Sequence, residues 1–351
     1  MRTRSRLVPS LAVAALALGL AACSPDGADT SDGAPAASAD VAADAADAAE
    51  PENLPDGWTF AAGSDVPSVD AEPALPVDVV DGTGTEVTVT DASKIIVGGD
   101  DVAEILGGLG LADLVYAAPT NSASEISLNA PEQYEFSQET GTEGLLSVGG
   151  TLFIGNNTAR HGDVAAQFRK AGVDAVVVDD QQSTGDKIRA VASYLGVDEA
   201  GEELAADVDA QLAEASETAS GLGDLRVLQV TSSGAGGANA VVGTGTAGAD
   251  VAEALGVTSV GVEAKLRGFS RDYSDEGLLG TEPDVLLLGT ADLEEWGGLE
   301  GFAAAFPTLL DTPAGQANRV IVMPDDQIKV SGPASGAGAL ALAQALAETA
   351  E

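Results

Sequence analysis

The sequence predicts an α/β protein of two Rossmann-like lobes joined by a long helical connector, and three observations lead there. The stretch Phe269-Ser-Arg-Asp-Tyr-Ser-Asp-Glu-Gly-Leu-Leu279 echoes Phe136-Ser-Gln-Glu-Thr-Gly-Thr-Glu-Gly-Leu-Leu146, with six of eleven positions identical. A second matched pair, Asp101-Val-Ala-Glu-Ile-Leu106 and Asp250-Val-Ala-Glu-Ala-Leu255, lies upstream of each copy. Two matched segments in the same order in both halves imply one βα unit built twice. Between the halves, Leu204, Val208, Gln211, Leu212 and Ala215 recur at helical spacing, which predicts a stiff connector over Glu199 to about Ala219.

From the start, Arg2, Arg4 and Arg6 precede the apolar run Leu7 to Ala22, which ends in Leu20-Ala-Ala-Cys23. A basic segment, a short apolar core and small residues before the cut describe an export signal; a spanning helix would want about 20 apolar residues. Cys23 is the only cysteine of the 351 residues, so an intrachain disulfide and a Cys-based zinc site are excluded. Residues 24–75 hold twelve acidic residues and no Lys or Arg. Such a stretch buries little apolar area and is expected to be a disordered tether. The net charge of −41 argues against nucleic acid or an anionic membrane surface as partner, because the long-range field repels both.

The folded part is expected to open with a hairpin, Val77–Val80 and Glu86–Thr90, around Asp81-Gly-Thr-Gly84. Lys94–Val97 reads as a buried strand leading through Gly98-Gly99 into a helix over Asp100–Gly107. Strands follow at Leu114–Ala117, Thr151–Ile154 and Ala175–Val178, with helices over Asp163–Ala171 and Gly185–Leu195. This alternation predicts a parallel sheet covered on both faces. On this reading Gly155 to His161 is a loop. The second lobe restarts at Arg226–Val230 and ends in a helix over Ala337–Glu348. The expected boundaries are a signal peptide at 1–22, a tether at 23–75, a first lobe at 76–183, a connector at 184–222 and a second lobe at 223–351.

Enzyme readings find little support. Gly243-Thr-Gly-Thr-Ala-Gly248 follows Ala240-Val-Val242, with Glu263 twenty residues beyond Gly243, and so meets the dinucleotide fingerprint. Its counterpart in the first half, Gly98-Gly-Asp-Asp101, lacks that spacing. The sequence has neither a G-x-S-x-G elbow nor a P-loop, and His161 is its only histidine.

The Leu-Ala-Ala-Cys ending resembles the lipobox of bacterial lipoproteins, in which the cysteine is lipidated. With two βα lobes, one helical connector and Glu-Gly-Leu-Leu before a strand in each half, the chain resembles the substrate-binding proteins of ABC importers over about residues 77–351. More narrowly it is similar to the group that carries haem, ferric siderophores and cobalamin. Gly98-Gly-Asp-Asp-Val-Ala-Glu-Ile-Leu106, Ala171-Gly-Val-Asp-Ala-Val-Val-Val178 and Thr312-Pro-Ala-Gly315 look most like actinobacterial hemin-binding lipoproteins. The chain departs from that pattern after Thr120-Asn121, which continues Ser-Ala-Ser-Glu-Ile, and at Lys329-Val-Ser-Gly-Pro-Ala334.

The resemblance implies a periplasmic-binding-protein-like fold, a monomer anchored to the outer face of the cytoplasmic membrane by lipid on Cys23, and no catalysis. It implies delivery of haem or another iron complex to an ABC permease and its ATPase. One glutamate per lobe would dock on basic residues of the permease, and the matching positions are Glu143 and Glu276. Ferric haem takes axial donors such as His and Tyr, and its propionates take Arg. The residues matching that set are His161 with Arg160 in the first lobe and Tyr273 with Arg271 in the second, the two rings expected to face each other across the cleft. Tyr134 is a further first-lobe tyrosine in a stretch where some relatives carry a ligand. Ferric siderophore or cobalamin is the alternative cargo.

Overall fold

The computed structural model describes residues 49–135, 141–234 and 237–349, the side chains of 141–143 excepted. The expected export signal, Cys23 and the start of the tether lie outside the described residues, as do positions 136–140 of the first copy and the side chain of Glu143.

The rest of the expected tether is a correction, because residues 49–75 are built into the fold. Trp58 and Ala61 flank a short strand, β1 (Thr59–Phe60), and both are buried. Trp58 meets Phe302 edge to face at 5.3 Å. Further on, Val69 N donates to Gly108 O at 2.7 Å, Ala71 N to Leu109 O at 3.1 Å and Ala74 N to Leu195 O at 2.9 Å. Hydrogen bonds to distant residues and one aromatic anchor hold this segment, and neither leaves an apolar period in a sequence.

The hairpin forms as expected, β2 (Val77–Val80) pairing antiparallel with β3 (Glu86–Val89). Asp81 closes it: its Oδ1 accepts from Thr83 N at 2.9 Å and from Thr85 N at 3.0 Å, and its Oδ2 meets Arg169 at 3.4 Å. The first sheet comprises β4 (Ile95–Val97), β5 (Val115–Pro119), β6 (Glu132–Tyr134), β7 (Leu152–Gly155) and β8 (Asp174–Val177). Its order is β6-β5-β4-β7-β8 and every pairing is parallel. Along β4, Ile95 and Val97 pack into the core that holds helices Asp100–Gly108, Thr184–Tyr194 and Asp198–Ala219, while Ile96 packs into the opposite core with Phe153 and Phe168. Helices therefore cover both faces, as a parallel sheet requires.

The second sheet holds β9 (Arg226–Gly234), β10 (Ala238–Val242), β11 (Thr258–Ser259), β12 (Phe269–Ser270), β13 (Val285–Gly289) and β14 (Val320–Met323). Its order is β1-β14-β13-β9-β10-β12, with β11 pairing the start of β9. The strands β1, β14, β13 and β9 run parallel, whereas β10 runs antiparallel to both its neighbours, β9 and β12. The duplication is visible in the helices Gly141–Ser147 and Asp275–Leu279, which lead into β7 and β13, paired with β4 and β9, the strands that open the two lobes. It departs from the expectation at β10, which the second lobe inserts before the helix Ala247–Ala254. That insertion also removes the dinucleotide site, since the glycine turn follows an antiparallel strand, where no parallel βα crossover exists. A Cβ on Gly243 would fall 2.4 Å from Leu266 O, so this glycine serves a close approach of two backbone segments.

The helix Asp198–Ala219 runs between the lobes, and the C-terminal helix Ala334–Thr349 packs along it. Among the described residues, no helix is long and apolar enough to cross a membrane.

Candidate functional site

In the first lobe the strand order reverses between β4 and β7, and ligands of open α/β sheets bind outside the carboxyl ends of strands at such a point. Gly98-Gly99 and Gly155-Asn156 end those two strands. His161 lies directly beneath them: a Cβ on Gly98 would come within 3.1 Å of His161 Cε1, and one on Gly155 within 2.6 Å of His161 Cβ.

The structure corrects the expectation that His161 is a loop residue. The helix begins at Thr158 and runs to Lys170, with Asn157 as N-cap accepting from Arg160 N at 2.8 Å. His161 stands in its first turn, only 2% exposed, edge-on to Phe153 at 5.8 Å. Its Nδ1 accepts the main-chain N–H of Asn156 at 3.1 Å. Burial, with the Arg160 guanidinium adding to it, pushes the imidazole down to about 4, so it is neutral near pH 7. Arg160 itself is exposed.

Tyr134 is not a surface donor either. It is 6% exposed and its hydroxyl donates to Val97 O, and burial holds the phenol well above the usual range.

In the second lobe β12 ends at Ser270 and the chain emerges as Arg271-Asp272-Tyr273. Arg271 is exposed and Tyr273 half-buried. The Tyr273 ring lies over Phe306 at 5.9 Å with 29° between planes, at the margin of the core formed by Trp58, Trp296, Phe302 and Phe306. Desolvation, with Asp275 adding to it, raises its phenol, and Arg271 pulls the other way. Ser274 caps the next helix, accepting from Gly277 N at 3.1 Å, and Glu276 is exposed in its first turn. Arg271 and Tyr273 are thus neighbours after β12 of the second lobe, while His161 and Arg160 stand on the helix after β7 of the first.

Three charged clusters escaped the sequence reading. Lys187, buried, donates to Ser331 Oγ at 3.2 Å across 144 residues and offsets the upward push of burial on both Asp101 and Asp250. Those are the aspartates of the two matched Asp-Val-Ala-Glu segments, so the copies meet around one lysine. Glu104 accepts from Ser124 Oγ. Burial, with Asp326, Asp100 and Glu125 adding to it, pushes its carboxyl up to about 7. Lys329 pairs with Asp292 at 2.8 Å and with Asp325, beyond the ends of β13 and β14. Only an abrupt Lys or Asp in an apolar setting hints at such residues in a sequence.

No curated protein matches the chain. Solved structures do. The periplasmic haem-binding protein RhuT from Roseiflexus sp. RS-1, in its apo form, is 30% identical and superposes with a TM-score of 0.64 over 74% of this chain and 100% of that one. The haem-binding protein HmuT is 29% identical, with a TM-score of 0.68 over 83% of this chain and 98% of that one. The periplasmic haem-binding protein BhuT in complex with two haems is 25% identical, with a TM-score of 0.59 over 74% and 99%. The periplasmic binding protein family matches residues 95–327, which spans β4 of the first lobe to the helix after β14 in the second. Two α/β lobes, a helical connector and that match make this chain a member of the periplasmic binding protein family.

Proposed function

We propose that the chain is a solute-binding protein that takes up haem between its lobes and delivers it to an ABC permease with its ATPase. The observation that carries this reading is the end-to-end likeness to haem-binding proteins at 25–30% identity, reaching 98–100% of their length. Supporting it, Tyr273 offers a phenol and Arg271 a guanidinium on one rim, a donor for ferric iron beside a donor for a propionate. Iron ligation is assigned to Tyr273 first. His161 joins it only if the first turn of its helix opens, since its Nδ1 is engaged and its ring is buried.

Matched structures include HmuT variants in which one histidine, one tyrosine or one arginine is replaced by alanine, the arginine two positions after the tyrosine. Here the order is reversed: Tyr273 follows Arg271 by two positions, and Phe269, whose ring cannot ligate iron, precedes it by two. Export by the N-terminal signal, lipidation at Cys23, docking through Glu143 and Glu276 and a monomeric state complete the reading.

A hemin titration followed by absorbance tests the reading. The wild type is expected to develop a Soret band at one equivalent, weakened by Tyr273→Phe and by Arg271→Ala and largely retained in His161→Gln. A colourless protein that binds a ferric siderophore or cobalamin would overturn the cargo and keep the transport role.

A further inference from the structure

Asn239 lies in β10, and both its backbone and its side chain are engaged. Its Oδ1 accepts the indole N–H of Trp296 at 2.9 Å, and its main-chain oxygen accepts the Tyr273 hydroxyl at 3.4 Å. Phe306 completes the arrangement, lying under the Tyr273 ring at 5.9 Å and meeting Trp296 edge-on at 5.6 Å. Asparagine is a poor strand residue, and its β10 neighbours Ala238, Ala240, Val241 and Val242 are all apolar. A side chain chosen only to fill this wall would be apolar too, since the Phe302 and Phe306 rings already pack against the half-buried Trp296. The hydroxyl contact is at the long limit of a hydrogen bond, so it orients the phenol without holding it strongly.

We propose that Asn239 and Trp296 are positioning residues for Tyr273, keeping its phenol oxygen at the rim of the second lobe in the orientation that ferric iron takes up. The inference rests on the haem reading above. As the iron–oxygen bond forms, the phenol O–H bond breaks and its proton passes to solvent. The iron stays ferric and no electron changes hands. Asn239 O loses its donor, while the indole of Trp296 still holds the Asn239 side chain. Arg271, two residues before the ring, favours the phenolate that results.

The test compares hemin titrations of wild type, Asn239→Leu, Asn239→Asp and Trp296→Phe, reading the dissociation constant and the phenolate-to-iron charge-transfer band. Partners behind a metal ligand typically carry 10- to 100-fold in affinity. Asn239→Leu and Trp296→Phe are therefore expected to weaken binding about tenfold or more and to displace the band. Asn239→Asp keeps an acceptor for the indole and is expected to stay within about threefold of wild type. Thermal unfolding of each variant separates this from loss of fold. Native affinity and an unmoved band in both disruptive variants would overturn the inference. If the wild type itself takes up no hemin, the haem reading falls, and the positioning role is decided by alkaline titration of Tyr273, whose share among the four tyrosines is identified with Tyr273→Phe. An unshifted titration in Asn239→Leu and Trp296→Phe would then sink it.

Discussion

Gly63 and Gln327 exchange two hydrogen bonds: the Gly63 amide donates to Gln327 Oε1 at 2.8 Å, and the Gln327 side-chain amide donates back to Gly63 O at 2.8 Å. This pair clamps the segment that starts as β1 on the second sheet and then hydrogen-bonds to Gly108, Leu109 and Leu195 of the first lobe. Chain preceding the first lobe is thus a strap over both. Gln327→Ala orphans a donor and an acceptor of the backbone, each costing about 1–3 kcal/mol. We expect a loss of about 2–4 kcal/mol in denaturant unfolding. Gln327→Glu keeps the acceptor and is expected to lose less; equal, negligible losses in both would show that the strap does not depend on this clamp.

The single histidine makes a clean pH probe. The unfolded chain binds a proton on His161 below about 6.5, and the folded chain resists it until about 4. Stability from this residue is complete above pH 6.5 and is lost as pH falls through that window, by up to about 3 kcal/mol at about 1.4 kcal/mol per unit. The Cε1 proton resonance, unambiguous in a chain with one histidine, is expected to titrate near 4; a midpoint near 6.5 would contradict the buried placement.

Glu104 works in the opposite sense. Ser124 hydrogen-bonds it, and Asp100, Glu125 and Asp326 face it with like charge. Between about 4.5 and about 7 the folded chain keeps a proton that the unfolded chain has released, so rising pH removes stability and the deficit is complete above 7. Glu104→Gln is expected to stabilise the protein by up to about 3 kcal/mol at pH 8 and to change little at pH 4. In the window near pH 5–6 the two residues nearly cancel in the wild type, so single variants are needed to see either. Equal midpoints of Glu104→Gln and wild type at pH 8 would refute the assignment.

Lys329 neutralises two carboxylates at once, with Asp292 fully buried. Asp292 Oδ1 also accepts from Thr231 Oγ1 at 2.9 Å and from Ser232 N at 2.8 Å. Removing the cation by Lys329→Met strands two acidic groups and is expected to cost about 3–5 kcal/mol. Adding Asp325→Asn is expected to restore part of it, measured as a double-mutant cycle; strict additivity would mean the pair is not coupled.

The core strands were legible because each is a short apolar run between glycine turns, and the helices because their apolar residues recur at three and four. The matched copies revealed two lobes, and the helices they form do lead into β7 and β13. His161 falls in the expected loop because the helix is expected to begin only at Asp163, whereas Asn157 caps it at Thr158 and the helix tolerates Gly162 in its first turns. The strap was missed because its hold is by backbone hydrogen bonds to residues far along the chain. Tyr273 and Arg271 stand out in the sequence as residue types, whereas Asn239 and Trp296, proposed above to aim the ring, come together only when β10 turns antiparallel.

By itself, then, the sequence determined the α/β class, the duplicated halves, the connector and the extreme acidity, since periodicity and charge are local properties of a chain. Tertiary structure alone decided which polar groups left water: His161 neutral under two glycines, Lys187 between the copied aspartates, Glu104 opposite Asp326. Burial and tertiary pairing set those outcomes, and both depend on residues brought together from separate elements of the chain, which no local pattern records.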